Sequence, residues 1–425
     1  AFSKTERRIF SVLVIIFIGS TLIILARVNS AFLIDVPARG GSLSEGIIGT
    51  PKFINPLLAA SDADRDLTAL VYSGLMRRSD QGELIPDLAE SYTVSSDGLT
   101  YTFILKEGLA FHDGEPLTAD DVAFTIAKSR ESVIRSDIRG RWDGVTVEAP
   151  DSRTVIFILK KPYVSFIDNA TIGILPKHIW EKITSDAFVA SDLNTDPIGS
   201  GPYEVDSISR SSDGKSIASY SLTAFTKFSL GKPFIKNITF SFYQDEESAL
   251  KALRAGKIES MASVSPEGAK ALASEGRTVL SSPEQRLYGV FFNQTQAPIF
   301  ADKAVRTALA TTVDRARIMN EVFYSYATPL EGPIPPGILG YTPEAVPVAV
   351  TEEDIDAARK ALEVGGWKFD TTRNVFTKKD KKGTTELHFT IATRNIPELK
   401  AIAEILKESW ARVGVSVDVS YFDEG

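Results

Sequence analysis

The sequence contains no cysteine, only three histidines and no second long hydrophobic run after the one near its start. Without cysteine, these residues cannot form a disulfide, a thiolate nucleophile or a zinc site with cysteine ligands. His112, His178 and His388 are far apart along the chain, so no local histidine motif supports a metal site. Lys and Arg number 47 against 55 Asp and Glu, for a net charge of −8. This balance argues against a nucleic-acid partner, which would need clustered excess positive charge.

The composition is that of a globular protein. Hydrophobic residues make up 43% and charged residues 24% of the 425-residue chain. This length allows about three domain-sized units of ~150 residues each.

The hydrophobic run near the start, residues 9–25, contains no charged residue and follows several basic ones. Its length lies between that of a signal-peptide core and that of a membrane span. Basic residues before the run favour placing the rest of the chain outside the cytoplasmic membrane. We therefore predict a membrane anchor or signal peptide over residues 1–30 and a linker over residues 31–42. An uncleaved anchor would hold the domain on the extracytoplasmic or periplasmic side, whereas a cleaved signal would release it.

Helical and strand patterns alternate along the remaining chain. Apolar runs rich in aromatic and β-branched residues predict strands over residues 101–108, 154–162, 238–244 and 415–421. Apolar residues at helical spacing predict helices over residues 245–256, 301–323 and 398–414. This mixture indicates an α/β fold.

The stretch FHDGEPLTADDVAFTI, residues 111–126, gathers a histidine and four carboxylates. One interpretation is a metal or acid/base site around His112. The other is local: Asp113-Gly114 is typical of a turn, and Thr118 with Asp121 fits a capping box at a helix start. The spacing favours the local interpretation, because His112 lies in the turn and has no second histidine at helical spacing.

Other patterns also have structural interpretations. PIGSGPYEV, residues 197–205, predicts a tight turn entering a strand, since no third glycine or helix completes a dinucleotide loop. The basic run at residues 378–383 predicts a solvated hairpin tip. Trp142, Trp367 and Trp410 are expected to be packing residues. No catalytic residue, cofactor or metal site is predicted.

The order of several segments resembles the family 5 extracellular solute-binding proteins, the dipeptide, oligopeptide and nickel type that serve ABC importers. The matching segments begin with NPLLAASDADRDLTALVYSGLMRR, GELIPDLAESYTVSSDGLTYTFILKEGLAFHDGEPLTADDVAFT and PIGSGPYEV. They continue with LRAGKIES, LYGVFFNQTQAPIFADKAVRTALATTVDRARIMNEVF, PLEGPIPPG, DIDAARKALEVGGWK and LKESWARVGVSVDV. Together they extend over most of the chain after about residue 46.

The resemblance implies a two-lobed, periplasmic-binding-protein-like α/β fold that closes around its ligand by hinge motion. The first lobe would comprise residues 43–280, with an inserted subdomain at about residues 76–195, and the second lobe residues 281–425. Family members continue beyond the point that corresponds to the last predicted strand. The second lobe is therefore expected to be incomplete at the C-terminus, without the acidic residue that pairs with the amino terminus of a peptide.

The resemblance also implies a function and candidate ligand contacts. We expect a membrane-tethered binding protein that captures peptides or similar small solutes for the permease and ATPase subunits of an ABC importer. The candidate contacts are Thr50, Pro51, Lys52, Phe53, Arg394 and Asn395. The alternatives are that Phe53 belongs to the core and that Arg394 is simply solvated. Two other functions remain open: an exported hydrolase or metal-dependent enzyme that uses the His112 cluster, and a ligand sensor on the same fold.

Overall fold

The structure is a computed structural model in which the chain divides into two compact units. The first unit is Ala1–Ala262 and the second unit is Ser263–Gly425. The structure describes residues 3–32, 38–79, 82–134, 136, 138–211, 214, 216–281, 286–330, 332–335, 341, 349–380 and 383–422. Each unit combines helices with sheets, which confirms the predicted α/β class.

The predicted membrane segment is a single long helix, α1 (Lys4–Phe32). Within it, Arg7–Leu25 has a mean hydropathy of 2.5 and is long and apolar enough to cross a membrane, by length and composition. A signal sequence and an anchor share this pattern. Residues 33–37 of the predicted linker lie outside the described residues, and the first strand already begins at Gly40, inside the stretch that composition marks as linker.

The first unit contains two main sheets. Its strands are β1 (Gly40–Ile48), β2 (Met76–Arg78), β3 (Leu84–Pro86), β4 (Ala89–Val94), β5 (Thr100–Leu105), β6 (Val145–Glu148), β7 (Thr154–Leu159), β8 (Tyr203–Arg210), β9 (Ile217–Ala224), β10 (Ile235–Tyr243) and β11 (Ser260–Met261). Its other helices are α2 (Asp62–Val71), α3 (Ala119–Ser129), α4 (Phe166–Asn169), α5 (Lys177–Trp180), α6 (Ser185–Phe188) and α7 (Glu246–Arg254). Short 3₁₀ turns occur at Arg139–Trp142 and Asp192–Asn194.

The larger sheet has the strand order β11-β1-β10-β9-β8. In it, β1 runs parallel to both β10 and β11, whereas β8 and β9 are antiparallel. The carboxyl ends of three neighbouring strands therefore lie at one edge of the sheet.

The second sheet has the order β4-β5-β7-β6 and is antiparallel throughout. Side chains of β5 alternate between half-buried and buried positions, which is the period of a strand with one face on a core. That core is rich in aromatic rings: Phe157 packs edge-on against Phe103 and is stacked on Trp142. This sheet with its own core lies inside the residues predicted as an inserted subdomain.

The second unit contains a hairpin sheet and a parallel pair. Its strands are β12 (Lys368–Asp370), β13 (Val375–Asp380), β14 (Gly383–Glu386), β15 (His388–Arg394) and β16 (Ser416–Phe422). Its helices are α8 (Pro266–Ser274), α9 (Lys303–Thr311), α10 (Arg315–Arg317), α11 (Glu352–Val364) and α12 (Pro397–Val413). A 3₁₀ turn covers Pro298–Ala301 and a π-helical turn covers Ile318–Val322. β12, β13 and β14 form an antiparallel sheet, and β15 pairs with β16 in parallel.

The predicted continuous helix over residues 301–323 is wrong, because the structure breaks it after α9. The Thr312 hydroxyl donates to the Ala308 carbonyl at 2.7 Å, closing the end of α9. Asp314 then caps a new start, accepting a hydrogen bond from the Arg317 backbone amide at 3.0 Å. A side chain that bonds its own local backbone competes with helix continuation, which explains the break.

The predicted hairpin at residues 378–383 is present, although its residues 381 and 382 lie outside the described part of the chain. Lys378, predicted as part of a solvated tip, is anchored instead. Its ammonium donates to Asp302 Oδ2 at 2.9 Å and to the Gly365 carbonyl at 2.7 Å, and lies over the Trp367 ring. The PLEGPIPPG loop falls partly outside the described residues.

All three tryptophans predicted to be packing residues are buried, and two of them offer a matched comparison. Trp142 and Trp410 are both 1% exposed. The indole N–H of Trp410 donates to the Leu309 carbonyl at 3.0 Å, whereas that of Trp142 has no hydrogen-bond partner among the described residues.

We expect Trp410→Phe to lower the free energy of unfolding by about 1–2 kcal/mol more than Trp142→Phe, because only the first substitution leaves a buried carbonyl without its donor. Urea denaturation of the two variants, with hydrogen exchange to follow each unit separately, measures this difference. Equal losses would show that the indole hydrogen bond adds nothing to the packing of the ring.

Candidate functional site

The predicted contact residues of the first unit follow β1 directly, at the carboxyl edge of the three parallel strands. Gly49, the residue after β1, donates its amide to the Tyr243 carbonyl at the end of β10, at 2.8 Å. Ligands of open α/β sheets bind outside the carboxyl ends of parallel strands. Thr50, Pro51, Lys52 and Phe53 therefore occupy the position in this sheet where a ligand is most expected.

Asp64 fixes the conformation of residues 50–53, which we call the contact segment. Its Oδ1 accepts the backbone amides of Lys52 at 2.6 Å and Phe53 at 2.9 Å. Its Oδ2 accepts the amide of Ser61 at 3.1 Å, and the Ser61 hydroxyl accepts the amide of Asp64 at 3.1 Å, completing a capping box at the start of α2. The Asp64 residue is only 2% exposed. One buried carboxylate thus joins the contact segment to a helix N-terminus, where negative charge is favoured.

The exit of the segment is fixed by two buried asparagines. Asn55 donates its side-chain amide to Asn194 Oδ1 at 2.9 Å, and the Ile54 backbone amide donates to the Asn194 carbonyl at 2.7 Å. Asn194 in turn donates to the Phe188 carbonyl at 2.8 Å. The contact segment is therefore held at both ends before any ligand binds.

The four predicted contacts differ in what they can offer a ligand. The side chains of Thr50 and Lys52 are exposed, Phe53 is half-buried and Pro51 is buried. The amides of Lys52 and Phe53 already donate to Asp64, so these two amides are not available to a ligand. Within the described residues, no carboxylate lies within ion-pair distance of the Lys52 ammonium. The segment can therefore offer a cation, a hydroxyl and an aromatic edge.

The predicted contacts of the second unit occupy an equivalent place at the end of its own parallel pair. Arg394 is the last residue of β15 and lies opposite Phe422 in β16. The next residue, Asn395, donates its amide to the Phe422 carbonyl at 2.9 Å. Both Arg394 and Asn395 are exposed. These two residues are neighbours in the second unit, and Thr50–Phe53 are neighbours in the first.

The acid cluster at residues 111–126 is arranged differently from a metal or acid/base site. The half-buried His112 ring uses both nitrogens: Nε2 lies 3.1 Å from the Gly201 carbonyl, and Nδ1 lies 3.3 Å from the Gly199 amide. These partners assign the proton to Nε2, which donates, and leave Nδ1 as the acceptor. Burial lowers the pKa of His112 to about 4, against the opposing effects of the Gly201 bond and of Asp113. His112 is therefore neutral near pH 7, and neither nitrogen remains for a metal or a substrate.

The PIGSGP segment supplies both hydrogen-bond partners of His112, and its packing requires glycine at residues 199 and 201. A Cβ atom on Gly199 would lie 2.0 Å from the Val71 carbonyl oxygen, and one on Gly201 would lie 2.4 Å from the Leu70 carbonyl oxygen. Gly201 also donates its amide to Val71 at 2.8 Å. The two glycines thus permit a close approach to the end of α2, so the segment packs on a helix rather than forming a phosphate loop.

The carboxylates of the cluster have local partners. Asp121 Oδ2 accepts the Thr118 backbone amide at 2.8 Å, as the predicted capping box requires, and its Oδ1 accepts the Lys177 amide at 2.9 Å. Asp113 Oδ2 lies 2.8 Å from Nε2 of His178. His112 has no second histidine at helical spacing, but His178 approaches the turn in space. The contact joins residues 65 positions apart, so no rule of local spacing could reveal it.

Among the described residues, no group of three or more His, Cys, Asp or Glu side chains is placed to hold a metal ion. The turn from Phe111 to Gly114 instead connects elements distant in sequence, the PIGSGP segment through His112 and α5 through Asp113. The cluster therefore acts as a structural clamp in the first unit.

Comparisons of the sequence and of the structure with known proteins both find extracellular solute-binding proteins. Residues 83–425 match the model of the bacterial extracellular solute-binding proteins, family 5 middle. The chain is 28% identical over 386 residues to the oligopeptide-binding protein AppA of Bacillus subtilis, covering 90% of this chain and 69% of AppA. It is 29% identical to protein XP55 of Streptomyces lividans but spans only 57% of that protein.

The similar solved structures include those of CtaP and AppA. The ABC transporter substrate-binding protein CtaP of Listeria monocytogenes has a TM-score of 0.75 and 30% identity, covering 91% of this chain and 74% of CtaP. AppA in complex with a nonapeptide has a TM-score of 0.67 and 26% identity, covering 91% of this chain and 76% of AppA.

Proposed function

Because the chain belongs to the family 5 bacterial extracellular solute-binding proteins, we propose that it captures peptides or similar small solutes outside the cytoplasmic membrane for an ABC importer. The match over residues 83–425 is the observation that carries this proposal. The similarity to AppA, whose solved structure contains a nonapeptide, supports peptide as the class of solute. The permease and ATPase subunits of an importer would be the partners, and the apolar part of α1 would direct or tether the protein to the membrane.

The first unit supports peptide binding through the segment after β1. We propose that Thr50, Pro51, Lys52 and Phe53 line the binding site, with the Lys52 ammonium pairing with a solute carboxylate and the segment's carbonyls accepting amides of an extended chain. Asp64 and the two asparagines hold these groups in place before binding, which reduces the entropy lost when the solute binds.

The second unit supports the same function through Arg394 and Asn395. We propose these two residues as ligand contacts of the second unit. A guanidinium can bind a carboxylate through two parallel hydrogen bonds, and Arg394 is exposed at the end of β15. The lobe limits at residues 43–280 and 281–425, with an inserted subdomain at about residues 76–195, are part of this proposal. They differ from the two compact units in placing residues 263–280, which include α8, in the first lobe. The separate aromatic core of the β4-β5-β7-β6 sheet supports the insertion.

An enzymatic function on the same scaffold has little support in the geometry. Both nitrogens of His112 and the carboxylates of Asp113 and Asp121 are used within the first unit. A general base needs a free acceptor within reach of a substrate proton. We therefore propose a binding protein without a catalytic centre in this cluster.

Native mass spectrometry of the full chain, purified in detergent, tests the proposal directly. We expect peptides to co-purify and to be recovered intact after incubation. Recovery of only a metal ion or an oligosaccharide would contradict the peptide assignment, and release of shortened peptides would favour the hydrolase.

Titration with a recovered peptide then tests the contacts. Lys52→Ala and Arg394→Ala are each expected to raise the Kd at least about tenfold, because each removes a hydrogen bond to a charged group. Lys407→Ala, at an exposed position on α12, is the matched control and should leave the Kd unchanged. An unchanged Kd in either test variant would remove that residue from the site.

A further inference from the structure

The loop after β7 in the first unit combines exposed apolar side chains with lysines. Residues 160–165 are all exposed, in the order Lys-Lys-Pro-Tyr-Val-Ser. Val164 is 75% exposed and Tyr163 is 45% exposed. Single exposed apolar residues are ordinary on protein surfaces, so exposure alone does not indicate a function. The surroundings of this loop are what distinguish it.

The loop is held firmly on the body of the first unit. The Asn169 side-chain amide donates to the Tyr163 hydroxyl at 3.0 Å and to the Arg141 carbonyl at 3.1 Å. The Tyr163 ring packs edge-on against Phe166, with ring centroids 6.1 Å apart. Because Tyr163 is fixed on both its polar and apolar sides, Val164 projects from a rigid support.

The same contacts bring a second basic segment to the loop. Asn169 joins Tyr163 to Arg141, and the side chain of Lys160 passes beside Gly144, about 3.1 Å from where a Cβ would lie. Arg139 and Arg141 are exposed in the 3₁₀ turn that leads to Gly144. We call residues 160–164 together with Arg139 and Arg141 the basic tip.

The charge of the basic tip is opposite to that of the whole chain. Its cations are Arg139, Arg141, Lys160 and Lys161. Neighbouring carboxylates are Asp143, Asp168 and, near Pro162, Asp97. Asp168 is paired with Arg78, and Asp97 Oδ1 accepts the amide of Leu99 and the hydroxyl of Ser95. Within the part of the chain that the structure describes, no carboxylate forms an ion pair with any of the four cations. A chain with a net charge of −8 thus presents a local excess of positive charge around the exposed side chains of Tyr163 and Val164.

We propose that the basic tip is a docking surface for an anionic lipid bilayer, with Val164 and Tyr163 entering the headgroup region and the four cations contacting lipid phosphates. An apolar and aromatic end surrounded by lysines and arginines matches the two chemical layers of such a surface. The bilayer is also the partner nearest to this chain, because α1 is long and apolar enough to cross a membrane. The basic tip would bring the first unit onto the membrane surface independently of α1.

The absence of cysteine makes a direct test possible. Val164→Cys introduces a single labelling site for an environment-sensitive fluorophore, and Val364→Cys, at a residue that is 84% exposed and preceded by Glu363, is the matched control. The full chain would be reconstituted in vesicles of phosphatidylcholine alone or mixed with phosphatidylglycerol. We expect a blue shift and quenching by brominated acyl chains only for the label at residue 164, only with the anionic lipid, and less at high salt.

Charge variants complete the test. Lys160→Gln with Lys161→Gln should lower the ratio of shielded to exposed label about 30-fold, because each basic residue near an anionic surface strengthens binding about fivefold. Lys227→Gln with Lys232→Gln removes the same charge from other exposed positions of the first unit and should leave the ratio unchanged. Shielding that is equal in both lipids, that survives the loss of Lys160 and Lys161, or that appears only when an importer permease is added would overturn the proposal. None of these outcomes depends on whether the chain binds peptides.

Discussion

Replacing Asp64 with alanine is expected to lower the free energy of unfolding of the first unit by about 3–5 kcal/mol, because backbone amides that share one buried carboxylate lose their acceptor together. The amides of Lys52 and Phe53 would be left without a partner, and the start of α2 would lose half of its capping box. The same substitution should weaken peptide binding, since it frees the segment that we propose as a contact surface. Urea denaturation with hydrogen exchange and peptide titration measure the two effects.

Asp354 provides a matched control in the second unit. It occupies the same position in a capping box at the start of α11, where its Oδ2 accepts the Thr351 amide at 2.9 Å, but this hydrogen bond is exposed to solvent and Asp354 itself is only half-buried. Asp354→Ala should therefore cost only the loss of a cap, about 1 kcal/mol, and leave peptide binding intact. Losses of similar size in the two variants would show that the bonds from Asp64 to the contact segment contribute nothing beyond the cap.

Asp64 also shows where a sequence stops being informative. Ser61 and Asp64 have the spacing of a capping box, so the cap itself is visible in the sequence. The bonds to Lys52 and Phe53 are not, because they depend on how the chain turns between β1 and α2. Thr118 with Asp121 is a parallel case: the cap could be predicted from spacing, whereas the bond from Lys177 to Asp121 could not.

Periodicity predicted the individual elements well and their interruptions poorly. The four predicted strands correspond to β5, β7, β10 and β16. α12 ends at Val413 and is followed by Gly414, which has the positive φ of 102° expected of a glycine that caps a helix C-terminus. The predicted helix at residues 301–323 failed because Thr312 and Asp314 bond locally to the backbone, an effect that apolar spacing does not register. Local patterns thus specify elements, while side-chain to backbone bonds decide where those elements stop.

The candidate contacts could be located from the sequence only through resemblance. Nothing in the composition of residues 50–53 separates them from any other loop. Their placement at the carboxyl edge of parallel strands arises from pairings between β1 and the distant β10 and β11, which no local pattern encodes. The same holds for Arg394, whose neighbour across the parallel pair is Phe422. Topology therefore supplied the physical argument for the site after the resemblance had suggested the residues.

The clamp at His112 is expected to make the first unit sensitive to acid. Burial lowers the pKa of the folded-state ring to about 4, whereas the unfolded chain has the ordinary value of 6.5. Above about pH 6.5 both states are neutral at this residue and the clamp is intact. As the pH falls from there towards about 4, the unfolded chain takes up a proton that the folded ring resists, so stability decreases. The loss from this residue should reach about 3 kcal/mol near pH 4 and then level off.

Protonation would also place an N–H on Nδ1 opposite the Gly199 amide, two donors facing each other at 3.3 Å. His112→Gln removes the titrating group, so the stability of this variant should fall by about 3 kcal/mol less than that of the unmodified chain between about pH 7 and about pH 4. His388→Gln changes an exposed position of the second unit, so the stability of the first unit in this variant should keep its full pH dependence. Urea midpoints measured across this pH range, with hydrogen exchange to follow the first unit, provide the comparison. If His112→Gln lost as much stability on acidification as the unmodified chain, the clamp would not be the acid-sensitive group of the fold.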